Sequence, residues 1–206
     1  PPGRAGPLVG RGREAVPRRS AAPPLRCPAA PVAYLVVPGM FSHPQRRHPR
    51  LASYDYLTAG YYFVTVCTQD RLPLFGSVDA GRMRPSPGGE MVQEAWRDLL
   101  TLHPGVEIDT EVAMPDHVHA IVVLEDDPRR TLSLSDVLHR YKSVTTKRYA
   151  HGVWDHGWPR FVNRLWQQGF YDHVIRQDGE LDAVRRYIRE NPLRWELRWA
   201  GQAGER

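Results

Sequence analysis

The stretch HVHAIVVL, residues 117–124, constrains the fold more than any other part of the chain. Its β-branched and aliphatic residues favour a pleated strand, and an apolar run this dense has to lie inside a sheet. Yet it opens on two histidines. Successive side chains of a strand point to opposite faces, so His117 and His119 share one face, about 6.6–7 Å apart along the chain. Val118 points to the other face. The rest of the chain has to explain why a core strand begins with two imidazoles on one side.

The flanking segments supply partners for that strand. GYYFVTVCTQ (60–69) is β-branched and aromatic, and VEIDTEVAM (106–114) alternates apolar with polar, so both are expected strands. The second joins 117–125 through the tight Pro115-Asp116 turn. GEMVQEAWRDLLTLHPG (89–105) repeats its apolar residues at helical spacing from Met91 to Leu102. SLSDVLHRYKSVTTKRYAHG (133–152) starts on a Ser cap, with Leu134, Val137, Leu138, Tyr141 and Val144 on one face. RFVNRLWQQGFYDHVIR (160–176) is aromatic and extended at first. DGELDAVRRYIRENP (178–192) has an Asp cap, an apolar stripe at Leu181, Val184 and Ile188, and Pro192 as its expected stop. The order β-α-β-β-α, a short strand and α predicts an α+β fold. Its economical form is a split β-α-β (ferredoxin-like) antiparallel sheet with helices on one face.

Charge narrows the partners less than the pI suggests. The net charge is +5, but residues 1–39 hold six arginines and one acid, so the remainder is balanced. Nine of the 19 prolines fall in the same 39 residues, among Gly, Ala and Arg. Such a segment buries too little apolar surface to offset its ordering entropy, which predicts a disordered Pro/Arg-rich tail. Met40 then lies close to the expected natural start, and 40–206 form a single domain. The competing reading is a basic tail that grips nucleic acid. Two cysteines, Cys27 and Cys67, without CxxC spacing suggest neither a disulfide framework nor a thiolate metal site, so a cytoplasmic setting is expected. No apolar run approaches the ~18–20 residues that span a bilayer.

Two imidazoles on one strand face can converge on one cation, at about 2.0–2.1 Å for a zinc-like ion. They can equally be two partly exposed histidines on a polar sheet face, and a bare pair leaves both readings open. The histidine-triad hydrolases need a third histidine two residues on, where this chain has Ile121. On the last expected helix Tyr187 and Asn191 are four apart and so share a face, with Tyr187 at the edge of the apolar stripe. The phenol could serve chemistry and the amide oxygen could serve a cation. Alternatively the ring packs and Asn191 merely ends the helix.

Together these motifs resemble the REP-associated tyrosine transposases, within the single-tyrosine HUH transposase superfamily. The matching stretches are YDYLTAGYYFVTVCTQDRLPLFG (54–76), MPDHVHAIVVL (114–124), YKSVTTKRY (141–149), LWQQGFYDHVIR (165–176) and RRYIRENPLRW (185–195). The resemblance implies metal-dependent cleavage and rejoining of single-stranded or hairpin DNA. It implies His117 and His119 as metal ligands, Asn191 as a third ligand, and Tyr187 as the nucleophile that forms a 5′-phosphotyrosine. The expected cofactor is Mn2+ or Mg2+; two imidazoles with an amide oxygen suit Mn2+ better. The protein is expected to act as a monomer or homodimer, away from membranes.

Lys142, Lys147, Arg148, Arg164 and Gln167 lie among aromatic residues, and Arg186 and Arg189 flank Tyr187. Cations interleaved with rings suit phosphates and unpaired bases, so these seven residues are the expected DNA contacts. For Trp166, Phe170 and Tyr171 a core role is the plainer expectation for at least two, and Arg185 reads as part of a solvated face. Against the transposase reading stand a domesticated protein that holds DNA hairpins without cutting, and a small metal-dependent phosphoesterase.

Overall fold

The dense apolar run becomes an inner strand of the sheet, buried on both faces. In a computed structural model of the chain, residues 57–203 are described, with side chains through Arg198. The tail expected at 1–39 and the start expected at Met40 lie outside the described residues. The elements in chain order are β1 (Gly60–Cys67), β2 (Gly76–Asp79), β3 (Arg82–Pro85), α1 (Pro87–Leu102), β4 (Val106–Met114), β5 (His117–Leu124), α2 (Leu134–His156), β6 (Tyr171–Ile175) and α3 (Asp178–Ala203). The main sheet has the order β4-β5-β1-β6, with every neighbouring pair antiparallel. The α+β class and the antiparallel sheet are as expected.

Strand alternation sorts the core into two clusters. Tyr62, Val64 and Val66 of β1 and Val118, Ala120, Val122 and Leu124 of β5 pack with α1 and α2. Ser86 caps α1 by accepting from the Gly89 amide, and Ser133 with Asp136 forms a capping box on α2. The two helices dock ring on ring, Trp96 stacked on Tyr141 at 3.8 Å between centroids. The residues of opposite parity, Phe63 and Ile121, pack with Ile175 against Leu181, Val184, Tyr187 and Ile188 of α3.

This second cluster corrects the expectation that the helices share one face: α1 and α2 do, and α3 lies across the other. The reason is on β5 itself, whose Ile121 would otherwise be left in water. Burying a side chain of that size stabilises by roughly 1.5–3 kcal/mol. A strand apolar on both faces needs a layer on each.

Two further differences matter. Pro192 does not end the last helix, which continues to Ala203 with Pro192 buried inside it. Proline removes one backbone donor from the ladder, and the residues beyond it pack on the site described below, which offsets that loss. The hairpin β2–β3 was not expected; Ala80 and Gly81 turn it with φ of 49° and 68°, both left-handed. Among the described residues no helix is long and apolar enough to cross a membrane.

Candidate active site

Register carries the histidines to the sheet centre, on the α3 face. Cys67 of β1 pairs with His117 of β5, and Thr65 pairs with His119. His117 and His119 are 3% and 1% exposed, so the polar-surface reading of the pair does not hold. Their Nε2 atoms lie 3.0 Å apart. Each ring is tethered at its other nitrogen. His117 Nδ1 donates to Asp116 Oδ1 at 2.6 Å, and His119 Nδ1 lies 2.8 Å from Thr65 Oγ1.

Donation from Nδ1 to the carboxylate leaves the Nε2 lone pair of His117 facing its neighbour. A carboxylate behind a histidine is the usual arrangement behind a metal-ligating imidazole. Burial holds both histidines below their ordinary range; the Asp116 hydrogen bond opposes this at His117, while the His117 and Arg71 charges reinforce it at His119. The neutral form is the one with a lone pair for a cation. Two nitrogens about 2.1 Å from one cation, at a right angle, stand about 3 Å apart, so the donor chemistry and the spacing fit a divalent ion. Among the described residues no group of three or more His, Cys, Asp or Glu is arranged to hold a metal.

Helix α3 delivers Tyr187 to the same place. Its ring centroid is 5.4 Å from that of His119 and 5.9 Å from that of Phe63, which itself lies 5.3 Å from His119. The stripe of Leu181, Val184 and Ile188 docks the helix and so sets this approach. Asn191, one turn on and 7% exposed, hydrogen-bonds the Tyr187 side chain. Burial raises the Tyr187 phenol above its ordinary range, against the Asn191 bond and the charges of Arg198, Arg194 and Arg71. The four expected residues, two on β5 and two on α3 and at least 68 positions apart in sequence, are therefore brought together.

Sequence reasoning missed their surroundings. Asp116 was legible as a neighbour of His117, but Thr65 needs the strand register. Arg71, whose Nε donates to Asp116 Oδ2 at 2.9 Å, lies in the matching stretch 54–76, but nothing in that stretch signals a contact with Asp116. Trp195, 5.8 Å from the His117 ring, and Arg194, 5.9 Å over the Tyr187 ring, depend on the helix passing Pro192.

The expected DNA contacts separate into two groups. Lys142 is half-buried and donates to the carbonyl oxygens of Gln167, at 2.8 Å, and of Gly169, pinning that loop. Burial brings its ammonium pKa down to about 8. Arg148 pairs with Asp98 at 2.6 Å, and Gln167 is half-buried with its backbone N–H donating to the Cys67 carbonyl. Lys147, Arg164, Arg186 and Arg189 are exposed, and among the described residues their side chains enter no hydrogen bond or ion pair. Trp166 is core, hydrogen-bonded through Nε1 to Thr145 Oγ1. Arg185 is no free solvated cation: it bonds both carboxylate oxygens of Asp109 and also meets Asp182.

Compared with known proteins, residues 58–191 match the family described as Transposase IS200 like. An uncharacterized protein of Haemophilus influenzae is 29% identical over 164 residues, which span 73% of this chain and 90% of that protein. A solved structure of a REP-associated tyrosine transposase bound to a REP hairpin is 22% identical, with a TM-score of 0.49, covering 75% of this chain and 74% of that one.

Proposed function

The chain belongs to the IS200-like transposase family, and from that premise we propose that it cleaves and rejoins single-stranded DNA at hairpin-bearing sites. In this reading Tyr187 is the nucleophile, and His117, His119 and Asn191 hold a divalent cation, Mn2+ before Mg2+. The observation that carries it is the meeting of the tethered Nε2 pair, 3.0 Å apart, with a tyrosine ring 5.4 Å from His119. A purely structural pair could account for the 3.0 Å approach as an imidazole–imidazole hydrogen bond, but it would not need a phenol brought in from a separate helix.

A free phenol, with a pKa near 10, is a weak nucleophile at neutral pH. A cation at the histidine pair would draw charge from a non-bridging phosphate oxygen and align the phosphate for in-line attack. Tyr187 Oη forms the new bond to phosphorus and gives up its proton. The bond from phosphorus to the 3′-oxygen breaks, and that oxygen takes up a proton. The products are a 5′-phosphotyrosine and a free 3′-hydroxyl. A phosphodiester bond is exchanged for a phosphotyrosyl bond, so a second strand's 3′-hydroxyl can reverse the step without ATP. Arg194 and Arg198 lower the cost of the phenolate, and Phe63 holds the tyrosine ring edge-on at an interplanar angle of 85°. Lys147, Arg164, Arg186 and Arg189 supply phosphate contacts, with residues 40–206 acting as one domain.

The test is a covalent-adduct assay with end-labelled hairpin DNA and Mn2+, read as a denaturation-resistant shift on a gel. The expected adduct disappears with Tyr187→Phe, with His119→Ala and with EDTA. Binding without an adduct, across several hairpins and metals, would instead make this a hairpin-binding protein that does not cut.

A further inference from the structure

We propose that Arg71 is a positioning residue for the histidine pair, acting through Asp116; the proposal rests on the metal reading of that pair. The Asp116 carboxylate is divided between two partners. Oδ1 accepts from His117 Nδ1 at 2.6 Å and Oδ2 accepts from Arg71 Nε at 2.9 Å, making a guanidinium–carboxylate–imidazole chain. All three side chains are shielded, at 23%, 8% and 4% exposure for Arg71, Asp116 and His117.

The arginine is itself fixed at both ends. Its Nη1 donates to Cys67 Sγ at 2.7 Å, and Cys67 is the residue paired with His117 across β1 and β5. The guanidinium therefore spans one rung of the sheet. Its backbone is set by an unusual turn: Asp70 and Arg71 are consecutive non-glycine residues with φ of 56° and 55°. Side chains rarely adopt that region, and it persists only where the surroundings over-determine it. The turn also grips the Asp116 main chain, since Thr68 donates to the Asp116 carbonyl from both its amide and its hydroxyl, each at 2.9 Å.

The chemical consequence is a fixed tautomer. A carboxylate held at one oxygen by a cation cannot rotate away from the imidazole, so His117 keeps its hydrogen on Nδ1. Its Nε2 lone pair then stays directed at the place where His119 Nε2 also points. Only a fork-shaped cation donates to a carboxylate and to a sulfur in one plane; lysine offers a single point of charge. The same bonds would also serve merely to close the end of the β1–β5 ladder, so the experiment must read tautomer and metal affinity rather than stability alone.

The measurement uses the full chain labelled with 15N-histidine. Long-range 15N–1H spectra report the tautomer of His117, and calorimetric titration reports Mn2+ affinity. Arg71→Ala is expected to mix the His117 tautomers and weaken Mn2+ binding about tenfold, the lower end of what loss of an outer-shell partner does. Arg71→Lys should fall between, and Arg71→Ala added to Asp116→Asn should weaken binding no further. A single Nδ1–H tautomer with unchanged Mn2+ affinity in Arg71→Ala overturns the proposal; if that variant does not fold, the same result in Arg71→Lys overturns it. Wild-type protein that takes up no Mn2+, or takes it up equally after His117→Ala, overturns the metal reading and the role of Arg71 with it.

Discussion

His117 and His119 face each other through Nε2 atoms 3.0 Å apart, each ring held from behind by a different residue, Asp116 of the β4–β5 turn or Thr65 of β1. The two Nε2 atoms share a hydrogen in one tautomer of His119, and in the other, with both Nδ1 atoms protonated, they offer two lone pairs to a cation. Mn2+ should therefore stabilise the fold by mass action. At a hundredfold excess over Kd the gain is about 2.7 kcal/mol, or on the order of 5–10 °C in Tm. Scanning calorimetry with and without Mn2+ checks this, and His117→Ala should lose the shift. An equal shift in that variant would put the ion elsewhere.

Tyr187→Phe separates chemistry from packing. The substitution keeps the ring against Phe63 and His119 and removes only the hydroxyl bonded to Asn191. Stability should change by only about 1 kcal/mol, the net worth of one hydrogen bond. Hairpin binding should stay within about twofold, whereas adduct formation should fall by at least about a thousandfold, as expected when a covalent nucleophile is lost. Retained adduct in the phenylalanine variant would move the nucleophile to another residue.

The division among the basic residues gives a second contrast. Arg186 and Arg189 are exposed beside Tyr187, whereas Lys142 holds two loop carbonyls. Arg186→Ala and Arg189→Ala should each weaken hairpin binding and reduce the slope of log K against log salt by about 0.7–0.9, one phosphate contact apiece. Lys142→Met should leave that slope alone and lower Tm instead. If the slope falls for Lys142→Met and not for the arginines, the assignment is reversed.

How far the sequence leads is visible in the same residues. Strand period alone put His117 and His119 on one face, and helical spacing put Tyr187 beside Asn191. Burial on both faces of β5 was also written in HVHAIVVL, since a strand with one wet face would alternate throughout. The position of α3 follows from that run once it is taken literally. Thr65 and Arg71 could not be found this way: one depends on the β1–β5 register, and the other on a left-handed turn of two residues that no local preference favours. Trp195 and Arg194 were hidden by a sound rule about proline, overridden by packing on the far side of Pro192.

Glu111 carries a pH prediction independent of the site. It stands on β4 opposite Ala120, hence on the α1–α2 face, with Oε2 buried and, among the described residues, unpartnered; Trp96 Nε1 is likewise. Burial raises its pKa to about 7, only partly opposed by the Arg97 charge. An acid whose pKa is higher folded than unfolded binds its proton more tightly in the fold. Its contribution to stability is thus complete below the unfolded value of about 4.5, declines as pH rises from there, and is gone above about 7. The loss is on the order of 1–3 kcal/mol, less than the full shift implies because the residue is not wholly buried. Glu111→Gln keeps the shape and cannot ionise. Urea unfolding from pH 5 to pH 9 should therefore show the two proteins near parity at pH 5 and the glutamine variant more stable by pH 8. Parallel profiles across that range would mean that Glu111 ionises as freely in the fold as in the open chain.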